Sequence, residues 1–285
     1  MSETYRFMVG DFSCLAVSDG TYSYPPASLF ANAPADELRA ELDRVGITSP
    51  LVTTPYTFLL VEAGHRRILV DLGAGSLAPT TGKLAANLLH AGCGPDEIDY
   101  VVITHAHPDH VGGALDASGR LLFPKSRYFV WRREWDYWFS DEAAKVSWEH
   151  YDFTSIARRN LAPMRSRVTL VDSEDEILPG VAMLDACGHT PGHVVISFVS
   201  AGEKLMYAAD TVVSPLHLEH PDWLPVFDML PDKAEASKRR VFDMAAEGNW
   251  LVMAQHFPPF PSLGHVMKKD RGWLWRPDIT LCRSA

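Results

Sequence analysis

The sequence predicts an α/β fold, because short β-branched runs alternate with helical patterns along its 285 residues. Hydrophobic residues make up 47% of the chain and charged residues 22%, a composition that excludes intrinsic disorder. No low-complexity stretch and no long linker rich in proline or glycine divides the chain. We therefore expect a single domain over residues 1–285.

The first elements along the chain are a hairpin and a helix. Residues 56–62 and 67–70 are predicted to form two strands that turn at Gly64. Residues 83–91 fit a helix with its apolar residues on one face, and Gly92 suits the position after its last turn.

The later elements continue the same alternation. The clearest helix covers residues 233–247, where we expect Asp232 and Glu235 to form a capping pair and Gly248 to end the helix. Buried strands are expected at residues 100–104, 168–171, 181–186, 194–199, 205–209 and 250–254.

A weak internal repeat relates two of these hairpins. Residues 57–71 can be laid over residues 196–210 with one insertion, and the second strand of each copy ends on an aspartate, Asp71 or Asp210. Two similar halves, packed sheet to sheet with helices outside, would explain the repeat.

The acidic character of the chain narrows the classes of partner. Its formal net charge of −10 argues against nucleic acid and against an anionic membrane surface. No apolar run approaches the roughly 18 residues of a membrane span, and the first residues lack the pattern of a signal peptide. The cysteines are too scattered for a disulfide framework, which favours the reducing cytoplasm; they are Cys14, Cys93, Cys187 and Cys282.

One short segment carries most of the chemical information. His105, His107, Asp109 and His110 lie within six residues, directly after the buried strand at 100–104. Residues two apart in an extended segment point to the same side, so His105 and His107 are expected to face one point. Imidazole and carboxylate are the groups that hold Zn²⁺ in proteins, and the spacing therefore predicts a metal site.

Three further candidates stand at the ends of predicted strands. His189 follows the strand at 181–186, Asp210 follows the strand at 205–209, and His256 follows the strand at 250–254. Ligands gather at the carboxyl ends of strands in α/β architecture, so these side chains are expected to join the histidine-rich segment.

Together these residues resemble the metallo-β-lactamase superfamily in order and spacing, over residues 55–256. The resemblance implies an αββα four-layer sandwich with a dinuclear metal site at one edge of the two sheets. It implies that His105, His107 and His189 hold one metal ion. It also implies that Asp109, His110 and His256 hold the other, with Asp210 bridging both.

The resemblance also implies the chemistry of the site. Two divalent ions, zinc first and Mn²⁺, Fe²⁺ or Co²⁺ as alternatives, would bridge a hydroxide that attacks a carbonyl or phosphoryl centre. Asp109 and Asp210 are the residues expected to take catalytic roles. Asp71 is expected to orient the ligand loop through hydrogen bonds, and His193 to be a structural hydrogen-bonding residue.

The residue at the bridging position indicates which branches of the superfamily this chain resembles. Relatives that destroy β-lactams carry Cys or Ser there, whereas Asp210 and His110 match lactonases, phosphodiesterases, glyoxalase II and organophosphate hydrolases. The C-terminal stretch resembles methyl parathion hydrolase and its lactonase relatives, which implies a small lactone or ester substrate and a homodimer. Acyl-homoserine-lactone lactonases carry a tyrosine three residues after the bridging aspartate, where this chain has Val213.

Several other functions remain as hypotheses. A thioester or phosphodiester hydrolase of the same fold is the nearest alternative, and phosphotriester hydrolysis would use the same site. A mononuclear-iron sulfur dioxygenase would leave Asp109, His110 and His256 without a metal. A metal-binding scaffold without catalysis would also keep all seven residues.

The aromatic residues have two interpretations. Trp131, Trp135, Trp138 and Phe139 fit one helix face, which either packs into the core or covers the metal site and lines an apolar pocket. The further candidates for the pocket are Phe30, Trp223, Phe227, Phe257 and Phe260.

Overall fold

Two β-sheets of seven strands each lie face to face, with helices on both outer faces. The structure is a computed structural model that describes residues 3–146 and 152–278. This arrangement is the αββα four-layer sandwich expected from the sequence. Cys282 lies outside the described residues.

The first sheet contains the first seven strands in chain order. Its strands are β1 (Thr4–Val9), β2 (Phe12–Tyr24), β3 (Val52–Ala63), β4 (Arg66–Val70), β5 (Tyr100–Ile103), β6 (Arg127–Trp131) and β7 (Val168–Val171). Strands β1 to β4 pair antiparallel, and β4 to β7 pair parallel. The carboxyl ends of β4 and β5 therefore lie side by side at one edge of the sheet.

The second sheet contains the other seven strands, again as neighbours in chain order. They are β8 (Glu176–Leu178), β9 (Val181–Asp185), β10 (Val194–Ser200), β11 (Glu203–Tyr207), β12 (Leu251–Met253), β13 (Leu263–Lys269) and β14 (Gly272–Pro277). Only β11 and β12 pair parallel. In both sheets an antiparallel hairpin, β3–β4 or β10–β11, is followed by a parallel strand.

Within residues 3–146 and 152–278, eight α-helices connect and cover the sheets. They are α1 (Pro26–Leu29), α2 (Ala35–Arg44), α3 (Leu84–His90), α4 (Pro108–Val111), α5 (Arg132–Trp138), α6 (Phe153–Leu161), α7 (Leu216–Glu219) and α8 (Pro231–Glu247). Buried residues of α3 to α6 pack on the first sheet, and buried residues of α8 pack on the second. No helix among the described residues is both long and apolar enough to cross a membrane.

The strands are apolar on both faces because each sheet is covered twice. In β3, Phe58 and Leu60 face the helices while Leu59 and Val61 face the other sheet. In β11, Met206 faces the helix side while its neighbours pack between the sheets. Alternate residues of a strand point to opposite faces, so a continuous apolar run fills two cores at once.

The expected capping pair at α8 is wrong. Pro231 is the first residue of the helix, so Asp232 already lies inside the first turn and the residue before the helix is Leu230. Glu235 instead accepts hydrogen bonds from Arg239, one turn further along, at 3.0 and 2.8 Å. Proline suits the first helical position because its missing N–H would have no partner there.

Candidate metal centre

The segment after β5 places two histidines on the same side, as predicted. His107 has an extended backbone conformation, and α4 then begins at Pro108. The helix turns the chain so that Asp109 and His110 follow on a second side. One short segment thus contributes side chains to two neighbouring groups.

The first group consists of His105, His107 and His189, all buried, with one ligand atom of each within 4.8 Å of the others. The Nδ1 atom of His107 lies 2.9 Å from Nε2 of His189. His189 follows β9 in a loop that passes close to α8. At Gly188, φ is +144° and a Cβ would lie 2.2 Å from the backbone of Ala234, so only glycine fits there.

The second group consists of Asp109, His110, Asp210 and His256, which are also buried and meet within 4.8 Å. The Oδ2 atom of Asp109 lies 3.7 Å from Nε2 of His110 and 3.6 Å from Nε2 of His256. The four residues come from both sheets, since His110 follows β5 and His256 follows β12.

Asp210 lies between the two groups. Its Oδ2 atom is 3.3 Å from Nε2 of His189, whereas its Oδ1 atom is 3.1 Å from Nε2 of His110 and 3.1 Å from Nε2 of His256. The preceding residue, Ala209, has a left-handed φ of +43°. Such a φ is uncommon for a residue other than glycine.

A second layer of hydrogen bonds holds the histidine rings. Asp71 Oδ2 lies 2.7 Å from Nδ1 of His110, and the same carboxylate accepts from the N–H and hydroxyl of Thr104. Asp228 Oδ1 lies 2.8 Å from Nδ1 of His189. These contacts leave Nε2 of each ring facing inward, and the orienting role expected for Asp71 is confirmed.

The charges at the centre shift the pKa values of its groups. Burial works against ionisation of Asp210, yet His256 and His110 hold the pKa of its carboxyl well below the usual range. Burial alone would lower the pKa of His110, but the neighbouring carboxylates, Asp210 first, raise it well above its ordinary value. In the first group, burial and the charge of His110 lower the pKa of His105 well below its ordinary value. A neutral imidazole is the form that binds a cation.

The two groups fit two divalent metal ions. The Nε2 atom of His105 is buried and has no hydrogen-bond partner within residues 3–146 and 152–278. A buried nitrogen in this state costs free energy unless something binds it. Imidazole nitrogens and carboxylate oxygens are the donors that such cations prefer.

One positioning residue was missed by the sequence reasoning. Glu134 of α5 is fully buried and accepts four hydrogen bonds, from Ala106 N–H, Trp138 Nε1, Thr190 Oγ1 and Gly192 N–H, at 2.6 to 2.9 Å. Its carboxylate joins the loop of His105 and His107 to the loop of His189. The sequence shows only a single glutamate within a helix rich in aromatic residues, and such a glutamate is normally predicted to be exposed.

His193 has the structural role expected for it, and Cys187 also lies outside the two groups of ligand atoms. The Nδ1 atom of His193 lies 3.1 Å from the carbonyl of Ala186, and its Nε2 accepts from the N–H of Asp210 at 3.2 Å. Cys187 is half-buried, and burial raises the pKa of its thiol. Its thiol belongs to neither group of ligand atoms.

A cavity of about 590 Å³ opens onto both groups. Five of the residues in the two groups line it: His107, Asp109, His189, Asp210 and His256. The remaining side chains that line it are mostly apolar or aromatic: Tyr22, Tyr24, Leu29, Leu77, Val146, Phe153, Val213, Val226, Phe227 and Met229.

Most of the aromatic residues expected in the cavity lie elsewhere. Trp131 ends β6 and packs between the sheets, because the helix begins only at Arg132. Trp135 and Trp138 pack in the core behind the first sheet, so the core interpretation holds for this helix. Of the further candidates only Phe227 lines the cavity, whereas Phe30, Trp223, Phe257 and Phe260 pack in or against apolar clusters.

Comparison with known proteins agrees with this geometry. The family model "Metallo-beta-lactamase superfamily" matches residues 53–256. An N-acyl homoserine lactonase of a Bacillus species is 30% identical over 261 residues, which cover 82% of this chain and 92% of the relative.

Solved structures resemble the whole chain. AidC, described as a dizinc quorum-quenching lactonase and solved with a product, has a TM-score of 0.89 at 27% identity and covers 98% of this chain and 99% of its own. AbOPH, described as a hydrolase in the beta lactamase superfamily, has a TM-score of 0.89 at 27% identity, covering 97% and 98%. The chain therefore belongs to the metallo-beta-lactamase superfamily and is one of its metal-dependent hydrolases.

Proposed function

We propose that the protein hydrolyses lactones and related carboxylic esters at two zinc ions. The observation that carries the proposal is the position of Asp210, whose two carboxylate oxygens face the two groups of ligand atoms. The relatives support it, since one is named as an N-acyl homoserine lactonase and another as a dizinc lactonase.

The proposed ligands follow the two groups. His105, His107 and His189 would hold the first ion, and Asp109, His110 and His256 would hold the second. Asp210 would contact both. When bound, such ions lower the pKa of water and polarise a carbonyl oxygen, which makes an added Ser or Cys nucleophile unnecessary.

The chain's own residues prepare the site for this chemistry. Asp71 and Asp228 fix the rings of His110 and His189 from behind, so little reorganisation is needed when a cation binds. Asp109 lies at the cavity wall, where it would meet the substrate as well as the second ion. The burial of the ligands keeps the electrostatic interactions strong.

The cavity favours a neutral substrate with an apolar part. Five aliphatic residues also line the cavity, and they would contact an acyl chain or an aryl group: Leu29, Leu77, Val213, Val226 and Met229. The net charge of −10 disfavours polyanionic substrates at low ionic strength. A neutral phosphotriester has a suitable shape and charge for the same site and is the expected secondary substrate.

A panel of substrates tests the proposal. We expect metal-loaded protein to hydrolyse a lactone or an aryl ester with a higher kcat/KM than a thioester, a phosphotriester, a phosphodiester or a β-lactam. Asp210→Asn serves as the inactive control. Efficient cleavage of the β-lactam or the phosphodiester, with lactones and aryl esters intact, would overturn the substrate class but not the two-metal site.

A further inference from the structure

A pair of tyrosine hydroxyls lies at the cavity wall, and metal binding by the proposed ligands does not explain its role. Tyr24, the last residue of β2, lines the cavity, and its hydroxyl lies 2.5 Å from the hydroxyl of Tyr56. Tyr56 is fully buried, and its ring packs edge-on against the ring of His256 with centroids 5.0 Å apart. The pair therefore lies beside the second group of ligand atoms.

The two hydroxyls have two hydrogens but share one hydrogen bond. Tyr56 has no exposed surface, so a hydrogen that pointed away from Tyr24 would lie in a closed environment. Tyr24 borders the cavity. The favourable arrangement has Tyr56 donating to Tyr24, which leaves the hydrogen of Tyr24 free to point into the cavity.

Burial in the first place keeps the Tyr24 hydroxyl protonated. Burial raises the pKa of Tyr24 well above its usual range, and the negative charges of Asp109 and Asp210 add to this shift. Tyr24 lines the same cavity as Asp109 and Asp210. A neutral phenol near the centre can donate a hydrogen bond over the whole ordinary pH range.

Two other hydroxyls on the wall, those of Ser23 and Thr54, have hydrogen-bond partners within the protein. Ser23 Oγ pairs with Thr53 Oγ1 at 2.8 Å, and Thr54 Oγ1 donates to the carbonyl of Tyr22 at 3.5 Å. Val213, close to Asp210 in the chain, brings only methyl groups to the cavity. Tyr24 therefore brings a phenol hydroxyl to a wall where Val213 offers no hydrogen-bonding side chain.

We propose that Tyr24 is a catalytic residue whose hydroxyl donates a hydrogen bond to the ester oxygen that gains negative charge during hydrolysis, and that Tyr56 positions it. The inference rests on the proposed lactone and ester hydrolysis. No proton is transferred from the phenol, so water supplies both the hydroxyl group and the proton of the products. A donor aimed at developing charge stabilises the transition state more than the bound substrate.

Three single substitutions test the inference: Tyr24→Phe, Tyr56→Phe and, as the matched control, Tyr100→Phe. Tyr100 begins β5, at the end of the strand opposite to the ligand segment. Loss of one such donor lowers kcat by roughly 100-fold, so we expect this loss for Tyr24→Phe, with KM changed less than about threefold. Tyr56→Phe should lose less, about tenfold or under, and Tyr100→Phe should match the wild type.

Two measurements besides activity accompany the kinetics. We expect Tyr24→Phe to keep the wild-type metal content and melting temperature but to bind the hydroxy-carboxylate product more weakly by calorimetry. A kcat within threefold of the wild type, or a loss that parallels lost metal, would overturn the inference while lactone hydrolysis by the wild type stands. A wild-type protein that leaves lactones and esters intact would instead overturn the proposed function, and this inference with it.

Discussion

His189→Ala is expected to remove nearly all hydrolytic activity, whereas Cys187→Ser, two residues away, is expected to keep most of it. His189 places Nε2 within 2.9 Å of His107 Nδ1 and 3.3 Å of Asp210 Oδ2, where both proposed metal positions meet. The thiol of Cys187 belongs to neither ligand group. The loss for His189→Ala should exceed the roughly 10–100-fold cost of removing a partner that only orients a ligand.

Metal content and kcat/KM on the best ester substrate, measured side by side, check this pair of variants. Circular dichroism controls for folding in both. Loss of metal in folded Cys187→Ser, with His189→Ala still loaded, would show that the ligand assignment is wrong.

Glu134→Gln is expected to weaken metal binding by about 10–100-fold, although Glu134 touches no proposed metal position. An amide keeps the size of the side chain but replaces one acceptor oxygen with a donor. At least one of the buried donors, such as the N–H of Ala106 or Gly192, then loses its partner. Each unsatisfied group costs about 1–3 kcal/mol, so the free energy of unfolding should fall as well.

Chelator competition and thermal unfolding measure both effects, with the exposed substitution Glu142→Gln as the matched control. The close approach of Gly192, whose Cβ would lie 2.1 Å from the N–H of Glu134, leaves little room for rearrangement. Wild-type metal affinity together with an unchanged melting temperature in Glu134→Gln would contradict this account.

The sequence predicts the layers of this fold well, because its strands are short and apolar on both faces. The hairpin of β3 and β4 and the helix before Gly92 appear where their patterns predict them. The predicted start of α8 is wrong, because the helix begins at Pro231 and Asp232 therefore lies inside its first turn. Such a shift of one or two residues moves a side chain from the cap into the first turn.

The residues of the centre were also accessible from sequence, because they follow strands that end at the same edge. All seven proposed ligands meet there in two groups. The sequence does not predict which aromatic and apolar residues line the cavity, because the wall depends on how loops that are distant in the chain pack together. Tyr24 and Met229 line it, whereas Phe257 packs in the core behind the second sheet.

The hydrogen bonds of Glu134 and Tyr24 could not be predicted from the sequence for the same reason. A glutamate in a short helix has no periodic signature of burial, and its four partners come from three separate parts of the chain. Tyr24 and Tyr56 are paired only because β2 and β3 are adjacent in the sheet. Long-range pairs of this kind become visible only in the folded structure.

Elemental analysis of protein purified without chelator tests the central claim, a two-metal centre, most directly. We predict about two equivalents of zinc or another divalent metal per chain, and about one in Asp109→Ala and in His256→Ala, which disrupt only the second group. One equivalent in the wild type, with content and activity unchanged in both variants, would contradict the account.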